Sequence, residues 1–176
     1  MSDHHADGST WVFGYGSLIY KVDFPFLERA TAAIVGWERR FWQGSHDHRG
    51  TPEAPGRVVT LVRSPGTVCK GVAYRVEHAV FEHLDHREKN GYERHAITMS
   101  LQPEQHEVGG ILYVARADNP AFLGPASMAD IAQQIAVSSG PSGSNRDYLL
   151  QLAAALRELH DPDPHVNELA ALLLSE

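Results

Sequence analysis

The sequence predicts an α+β fold with the strands first and the helices after them. From residue 11 to about 116 the chain runs in short segments rich in Val, Ile, Thr and aromatics, punctuated by Gly, Pro and Ser. After Pro125 the apolar period lengthens to that of a helix. The 176 residues, 43% of them hydrophobic, suffice for one compact domain and are too few for two comfortable ones. The expected organisation is therefore a disordered polar lead at 1–10 and a single domain at 11–176.

The strand-like segments are 11–15, 33–43, 57–63, 68–76, 94–101 and 108–115, about six strands. Between them, 49–56 (RGTPEAPG) reads as a long loop and 64–66 (SPG) as a tight turn suited to a hairpin, so the sheet should be mostly antiparallel. One helix interrupts the strands at about 77–87, with Val80, Phe81 and Leu84 as its buried positions. One further turn would set Glu88 three and four residues beyond Asp85 and Leu84 and seven beyond Phe81, over the apolar stripe. Past Pro125, Met128, Ile131, Ala132 and Ile135 form one helical stripe and Leu149, Leu152, Leu156 and Leu159 another. A shorter helix at about 165–174 ends the chain. A six-stranded sheet backed by helices can curl or close into a small barrel.

Charge and cysteine count exclude several function classes. Lys and Arg total 15 against 22 Asp and Glu, a formal charge of −7 that repels phosphate backbones and anionic membrane surfaces. Neither nucleic acid nor a membrane is an expected partner. Cys69 is the one cysteine, which excludes an internal disulfide and a Cys-rich zinc site and fits a reducing compartment, the cytoplasm by default. The opening MSDHHADGST has no basic or apolar signal region, and no window approaches the roughly 18 apolar residues of a spanning helix, so a soluble protein is expected.

Gly14-Tyr15-Gly16-Ser17-Leu18-Ile19 closes the first strand, where two glycines let the backbone turn and approach a ligand closely; successive N–H groups there would grip a carboxylate. Ile19 stands where a dinucleotide fingerprint needs its third Gly, and the Gly-Lys-Ser/Thr ending of a P-loop is missing. As a bare G-x-G it is equally an ordinary strand-ending turn. The second Gly-rich stretch, 139–145 (SGPSGSN), reads as a loop into a helix starting near Asp147, with Ser144 or Asn145 as N-cap.

His46-Asp47-His48 and His83-x-Asp85-His86 contain ligand types for zinc or non-haem iron, yet HExxH and Cys-based spacings are missing, and His83 and His86 suit exposed positions of an amphipathic helix. Gly140-Pro-Ser-Gly lacks the G-x-S-x-G spacing of a nucleophile elbow, and Cys69 sits within an apolar strand pattern that reads as core. Carboxylates remain. Glu88 differs from the other acids because helix geometry turns it inward just before Asn90-Gly91, a sharp turn. A buried acid is costly unless paired or employed; from the residues alone, a salt bridge to Arg39, Arg40, Arg49 or Arg57 accounts for Glu88 as well as catalysis does.

Several segments occur together in order: Phe13-Gly-Tyr-Gly-Ser-Leu-Ile19, Arg40-Phe-Trp-Gln-Gly44, Asp47-His-Arg-Gly50, Pro55-Gly-Arg-Val-Val-Thr-Leu61, Gly71-Val-Ala-Tyr74, Leu84-Asp85 with Arg87-Glu-Lys89, Asn119-Pro120, Leu123-Gly-Pro125 and Gly140-Pro-Ser-Gly143. With them the chain resembles the ChaC family of glutathione-specific γ-glutamylcyclotransferases, from residue 11 nearly to the C-terminus. The resemblance implies a cyclotransferase-like fold, a small mostly antiparallel β-barrel flanked by helices, that needs neither metal nor organic cofactor. Its small-molecule substrate would be glutathione, cleaved to 5-oxoproline and Cys-Gly by attack of the glutamyl α-amine on the γ-carbonyl.

The resemblance also implies that Gly14, Tyr15, Gly16, Ser17, Leu18 and Ile19 hold the substrate, that Glu88 is the catalytic general base and acid, and that Arg49 and Tyr113 belong to the pocket. The donor to the developing γ-oxyanion is expected to be the backbone or Tyr113. The chain departs from the family at Tyr20, where Trp is common, at His46, where a small hydroxyl residue is common, and at Asn90, where Gly is common. The competing expectations are a cyclotransferase for other γ-glutamyl amides or dipeptides, a non-catalytic γ-glutamyl-binding module, and a His/Asp metal hydrolase.

Overall fold

Alternation along β1 (Ser9–Gly14) sends Trp11 and Phe13 to one side and Val12 to the other, and that division organises the molecule. The computed structural model describes residues 8–88, 91–161 and 163–175, with Glu88 described for its backbone alone. After a 3-10 turn at Ser17–Ile19 the chain forms β2 (Glu28–Ser45), β3 (Gly56–Glu77), helix α1 (His78–Glu88), β4 (Tyr92–Leu101) and β5 (His106–Ala115). Helix α2 (Met128–Val137), a two-residue-per-strand hairpin of β6 (Ser139–Gly140) and β7 (Gly143–Ser144), helix α3 (Asn145–Glu158) and helix α4 (Pro164–Leu174) follow.

The five long strands close into a barrel in the order β1-β3-β2-β4-β5. All pairings are antiparallel except the closing one, where Val12 of β1 meets Ile111 of β5 in parallel. Inward residues of the strands, among them Trp11, Phe13, Ile34, Met99 and Leu112, fill the barrel with no helix contribution. Outward residues of the same strands, Val12, Val72, Tyr74, Ile111 and Tyr113, pack against the helices in a second core. There Ile131, Ala132 and Ile135 of α2 and Leu149, Leu152 and Leu156 of α3 are buried, as their helical stripes predict.

The strand count differs from the expected six because 57–63 and 68–76 are one strand. Ser64–Gly66 does not reverse the chain. Register passes from Val35↔Val68 to Trp37↔Arg63, so one residue on β2 faces four on β3, and Gly36 (φ +99°) and Gly66 (φ +84°) absorb the bulge. A Ser-Pro-Gly turn signal is local chemistry that a bulge satisfies as well as a hairpin does. The first strand also begins at Ser9, earlier than the boundary at residue 11: Ser9 and Thr10 are buried and pair with Glu77 and Val76.

Helix starts follow their caps. Ser127 accepts from the Asp130 N–H, Ser144 from the Asp147 N–H and Asp163 from the Val166 N–H, each satisfying an otherwise orphaned donor. None of the helices is long and apolar enough to cross a membrane among the described residues.

Candidate active site

The turn after β1 lies on the outer face of the barrel, and its shape depends on two glycines. A Cβ on Gly14 would sit 2.7 Å from Leu18 Cβ, and one on Gly16 would sit 2.9 Å from Val59 Cγ2 and 3.2 Å from the Tyr148 hydroxyl. Gly16 adopts φ −127°, ψ −125°, outside the usual regions for L-residues. Four carbonyls of the turn are taken by the protein. Arg39 Nε donates to Tyr15 O (2.7 Å), Ile19 N–H to Gly16 O (2.9 Å), Lys21 N–H to Ser17 O (2.7 Å) and the Tyr74 hydroxyl to Leu18 O (2.6 Å). The N–H groups of Ser17 and Leu18 precede the first bond of the turn, which makes the turn a donor surface suited to an anion.

The turn borders a cleft of about 930 Å³. Gly14, Tyr15, Gly16, Ser17 and Leu18 line it on one side and Leu84, Arg87, Gly91 and Tyr92 on another. Tyr113, Gln43, Asn119, Arg49 and Tyr148 line the remaining walls. Of the described residues expected at the site, Ile19 is the exception: it is buried in the helix-side core and does not line the cleft. It ends the 3-10 turn, and the last apolar residue of a strand-ending turn is an anchor as readily as a ligand contact. Helix α1 runs to Glu88, one residue beyond its expected end, with Phe81 and Leu84 buried and Val80, also expected in the core, half-buried because it sits at the edge of the apolar stripe. The Glu88 side chain lies outside the described residues, as do Lys89 and Asn90.

The arginines offered as salt-bridge partners for Glu88 have other partners. Arg39 pairs with Asp161 (2.9 Å) and Asp163 (3.2 Å), and Arg40 with Glu38 (2.8 Å). Arg57 donates to Gln134 Oε1 (2.7 Å) and to the carbonyls of Phe41 and Gly124. Arg49 is buried; it donates to Ser144 O (3.2 Å), and its guanidinium lies 5.6 Å from the centre of the Tyr148 ring. The β6–β7 hairpin holds this arginine in place, since a Cβ on Gly143 would sit 2.9 Å from Arg49 Nη1.

Tyrosines gather at and beside the cleft, Tyr15, Tyr113 and Tyr148 lining it and Tyr20 packed edge-on against Tyr148. Tyr148 accepts from the Val59 N–H (3.2 Å), and burial pushes its phenol pKa upward. Burial likewise pushes Tyr20 up to about 12, against the opposing charge of Arg49, and its hydroxyl has no hydrogen-bond partner among the described residues. Tyr15 donates to the Tyr113 carbonyl (2.7 Å), tying the turn to β5. The Tyr113 hydroxyl donates to Asp85 Oδ1 (2.7 Å), and Asp85 pairs with Arg94 (3.3 Å).

The histidines divide. His46 and His48 line the cleft, with His48 Nδ1 3.0 Å from Ser142 Oγ, while His83 and His86 are exposed on α1. Among the described residues no three His, Cys, Asp or Glu side chains gather as metal ligands. Cys69 is buried in the barrel interior, and burial pushes its thiol up to about 11, which leaves it protonated and unreactive at neutral pH. Gln43, Asn119 and Tyr148 escaped the sequence reading, and Asp85 entered it as a site candidate only as a metal-ligand type beside His83 and His86. Each except Tyr148 sits in a quoted motif, but a polar residue's partner is set by strands and helices far away in the chain.

A five-stranded barrel with a Gly-rich turn and a cleft on its outer, helix-covered face is the cyclotransferase architecture. A yeast γ-glutamyl cyclotransferase specific to glutathione superposes with a TM-score of 0.84 at 33% identity, over 96% of both chains. A more distant solved structure titled a γ-glutamyl cyclotransferase shares the fold with a TM-score of 0.56 at 18% identity, over 93% of this chain and 87% of that one. The model of the ChaC-like protein family matches residues 10–176, and the chain belongs to that family. The γ-glutamylcyclotransferase 2-3 of Arabidopsis thaliana is 46% identical over 91% of this chain and 86% of its own length. The glutathione-specific γ-glutamylcyclotransferase 1 of Danio rerio is 42% identical over 95% of this chain and 90% of its own length.

Proposed function

We propose that this protein is a glutathione-specific γ-glutamylcyclotransferase that works in the cytoplasm, without a metal, with Glu88 as its proton-transfer group. The observation that carries this reading is the cleft itself, which brings the donor turn at Gly14–Leu18 together with the residues on either side of Glu88: Leu84, Arg87, Gly91 and Tyr92. Family membership over nearly the whole chain and the activity named for its relatives support the same substrate.

The reaction needs no enzyme nucleophile. The substrate's α-nitrogen bonds to its own γ-carbonyl carbon, the bond to the cysteinyl nitrogen breaks, and a five-membered lactam leaves with Cys-Gly. Holding the glutamyl unit folded is the protein's main task, and well-oriented intramolecular attack gains roughly 7–11 kcal/mol over free encounter. The turn's N–H groups would anchor the α-carboxylate. An α-ammonium with a pKa near about 8 must lose a proton before it attacks, and Glu88 takes it. The protonated carboxyl then donates to the departing nitrogen, and the second proton, which the α-nitrogen sheds on becoming the lactam N–H, returns to Glu88 and leaves on the Cys-Gly amine as its ammonium. Since the reference pKa of Glu is about 4.3, this role requires desolvation of its carboxyl by the apolar side of α1.

Purified, chelator-treated protein incubated with glutathione should release 5-oxoproline and Cys-Gly in equal amounts. Glu88→Gln should keep the fold and bind glutathione while turnover drops by about 10²–10⁴-fold. Undiminished turnover removes Glu88 from the mechanism. Faster cleavage of other γ-glutamyl dipeptides in a substrate panel would move the assignment to a broader cyclotransferase.

A further inference from the structure

Arg49 is a buried cation in the cleft wall, 8% exposed, and among the described residues no carboxylate pairs with it. Its guanidinium donates to the Ser144 carbonyl at 3.2 Å and otherwise faces the Tyr148 ring, 5.6 Å from the ring centre. Arg57, equally buried and also without an ion pair, differs: Gln134 and the carbonyls of Phe41 and Gly124 take its N–H groups, and it does not line the cleft. The phenols beside Arg49 bring no negative charge, because burial pushes Tyr148 upward and Tyr20 up to about 12, so both stay protonated at neutral pH. The acids among the described lining residues lie elsewhere, Asp23 paired with Arg87 at 2.9 Å and Asp47 exposed beside His48. A buried charge without a partner is unfavourable, so a cleft that keeps one open is suited to an anion. Ser45 Oγ accepts the Arg49 N–H at 2.9 Å and fixes its main chain. Tyr148 sets the side chain beside the Gly-rich turn: the phenol tip lies 3.2 Å from where a Cβ on Gly16 would be, while Arg49 stands off the ring.

We propose that Arg49 is the counter-ion of the substrate's glutamyl α-carboxylate: the turn orients that group with its N–H dipoles, and Arg49 selects it by charge. This deepens the proposed function and rests on it. Both oxygens of a carboxylate accept, so the N–H groups of Ser17 and Leu18 and the guanidinium serve one group from two sides. An uncharged carboxamide in its place leaves the arginine uncompensated. The site is therefore selective for the acid at the glutamyl end of the substrate, while the glycine carboxylate of glutathione stays outside this contact.

The test measures kcat/KM for three substrates: glutathione, glutathione amidated at the glutamyl α-carboxyl, and glutathione amidated at the glycine carboxyl. The wild-type protein should cleave the α-carboxamide about ten- to hundredfold less efficiently than glutathione, the scale of a hydrogen bond to a charged group. Arg49→Gln, which can still donate to the Ser144 carbonyl, should shrink that penalty to about threefold or less, while the penalty for the glycine carboxamide stays within about twofold of its wild-type value. An unchanged α-carboxamide penalty would mean that the turn alone reads the group, with Arg49 purely structural. Loss of the glycine-carboxamide penalty instead would mean that Arg49 reads the leaving half. Either overturns the proposal. Should Arg49→Gln fail to fold, Arg49→Met, which keeps an apolar contact with the Tyr148 ring, makes the same comparison. Failure of the cyclotransferase reading shows separately, as absence of 5-oxoproline from glutathione with the wild-type protein.

Discussion

Arg39 is almost completely buried and makes contact with three parts of the chain at once. Its guanidinium donates to the carbonyls of Tyr15 and Lys70 and pairs with Asp161 and Asp163, which lie between α3 and α4. The Gly-rich turn is thereby braced from behind by a charge whose counter-ions come from the other end of the sequence. Removing one member of such a cluster leaves the others uncompensated, so Arg39→Met should cost about 3–5 kcal/mol in denaturant unfolding. It should also weaken glutathione binding through the loosened Tyr15 carbonyl. Unchanged stability would mean that Asp161 and Asp163 are adequately solvated without it. The sequence contained Arg39 as one of four candidate partners for Glu88, and nothing local distinguished it, because its true partners are 122 and 124 residues away.

At the scale of elements, the β2–β3 ribbon shows where local signals mislead. Ser64, Pro65 and Gly66 have the chemistry of a tight turn, yet the chain continues straight through them as a bulge. Choosing between the two requires knowing that 68–76 pairs with both β1 and β2, which is a property of the closed sheet. Gly66 takes a positive φ in open space, so Gly66→Ala should cost about 1 kcal/mol through backbone strain alone. None of residues 63–68 lines the cleft, and the same variant should retain full turnover. A loss of activity in folded Gly66→Ala protein would show that the bulge communicates with the site. Helix α1 is the opposite case: its apolar spacing predicted Phe81 and Leu84 on its buried face and an end within one residue of the observed Glu88, because a helix's period is written in adjacent residues.

Across the whole molecule, the helical layer is docked onto the barrel by a buried neutral histidine. His165 Nε2 of α4 accepts from the Phe41 N–H of β2 at 3.0 Å, with its ring tilted against the Phe41 ring. Burial and the nearby Arg40 push its pKa down from 6.5 to about 4, against the opposing pull of Asp163. Between those values the unfolded chain binds the proton and the folded one does not. The His165 contribution is therefore intact above about pH 6.5 and is lost as pH falls toward 4. Unfolding free energies at pH 7 and pH 4.5 should differ less in His165→Gln, whose side-chain carbonyl can still accept from Phe41, than in the wild type. An identical acid loss in both would assign the pH dependence to other groups.

Which segments matter for the cleft, the Gly-rich turn and the end of α1, came from the family resemblance. The sequence by itself determined the class of fold, the order of strands and helices, the buried stripes of α2 and α3, and Ser144 as one of two candidate caps. These are encoded in spacing and in turn chemistry among residues close in the chain. Only the tertiary structure decided that five strands rather than six close the barrel and that Ile19 anchors the turn instead of lining the cleft. The same holds for Arg39 bracing Tyr15 and for the Tyr113 proton being held by Asp85. The physical reason is the same in each instance: a side chain's period reveals which face it occupies, whereas its hydrogen-bond partner depends on which distant strand or helix closure of the barrel brings to that face.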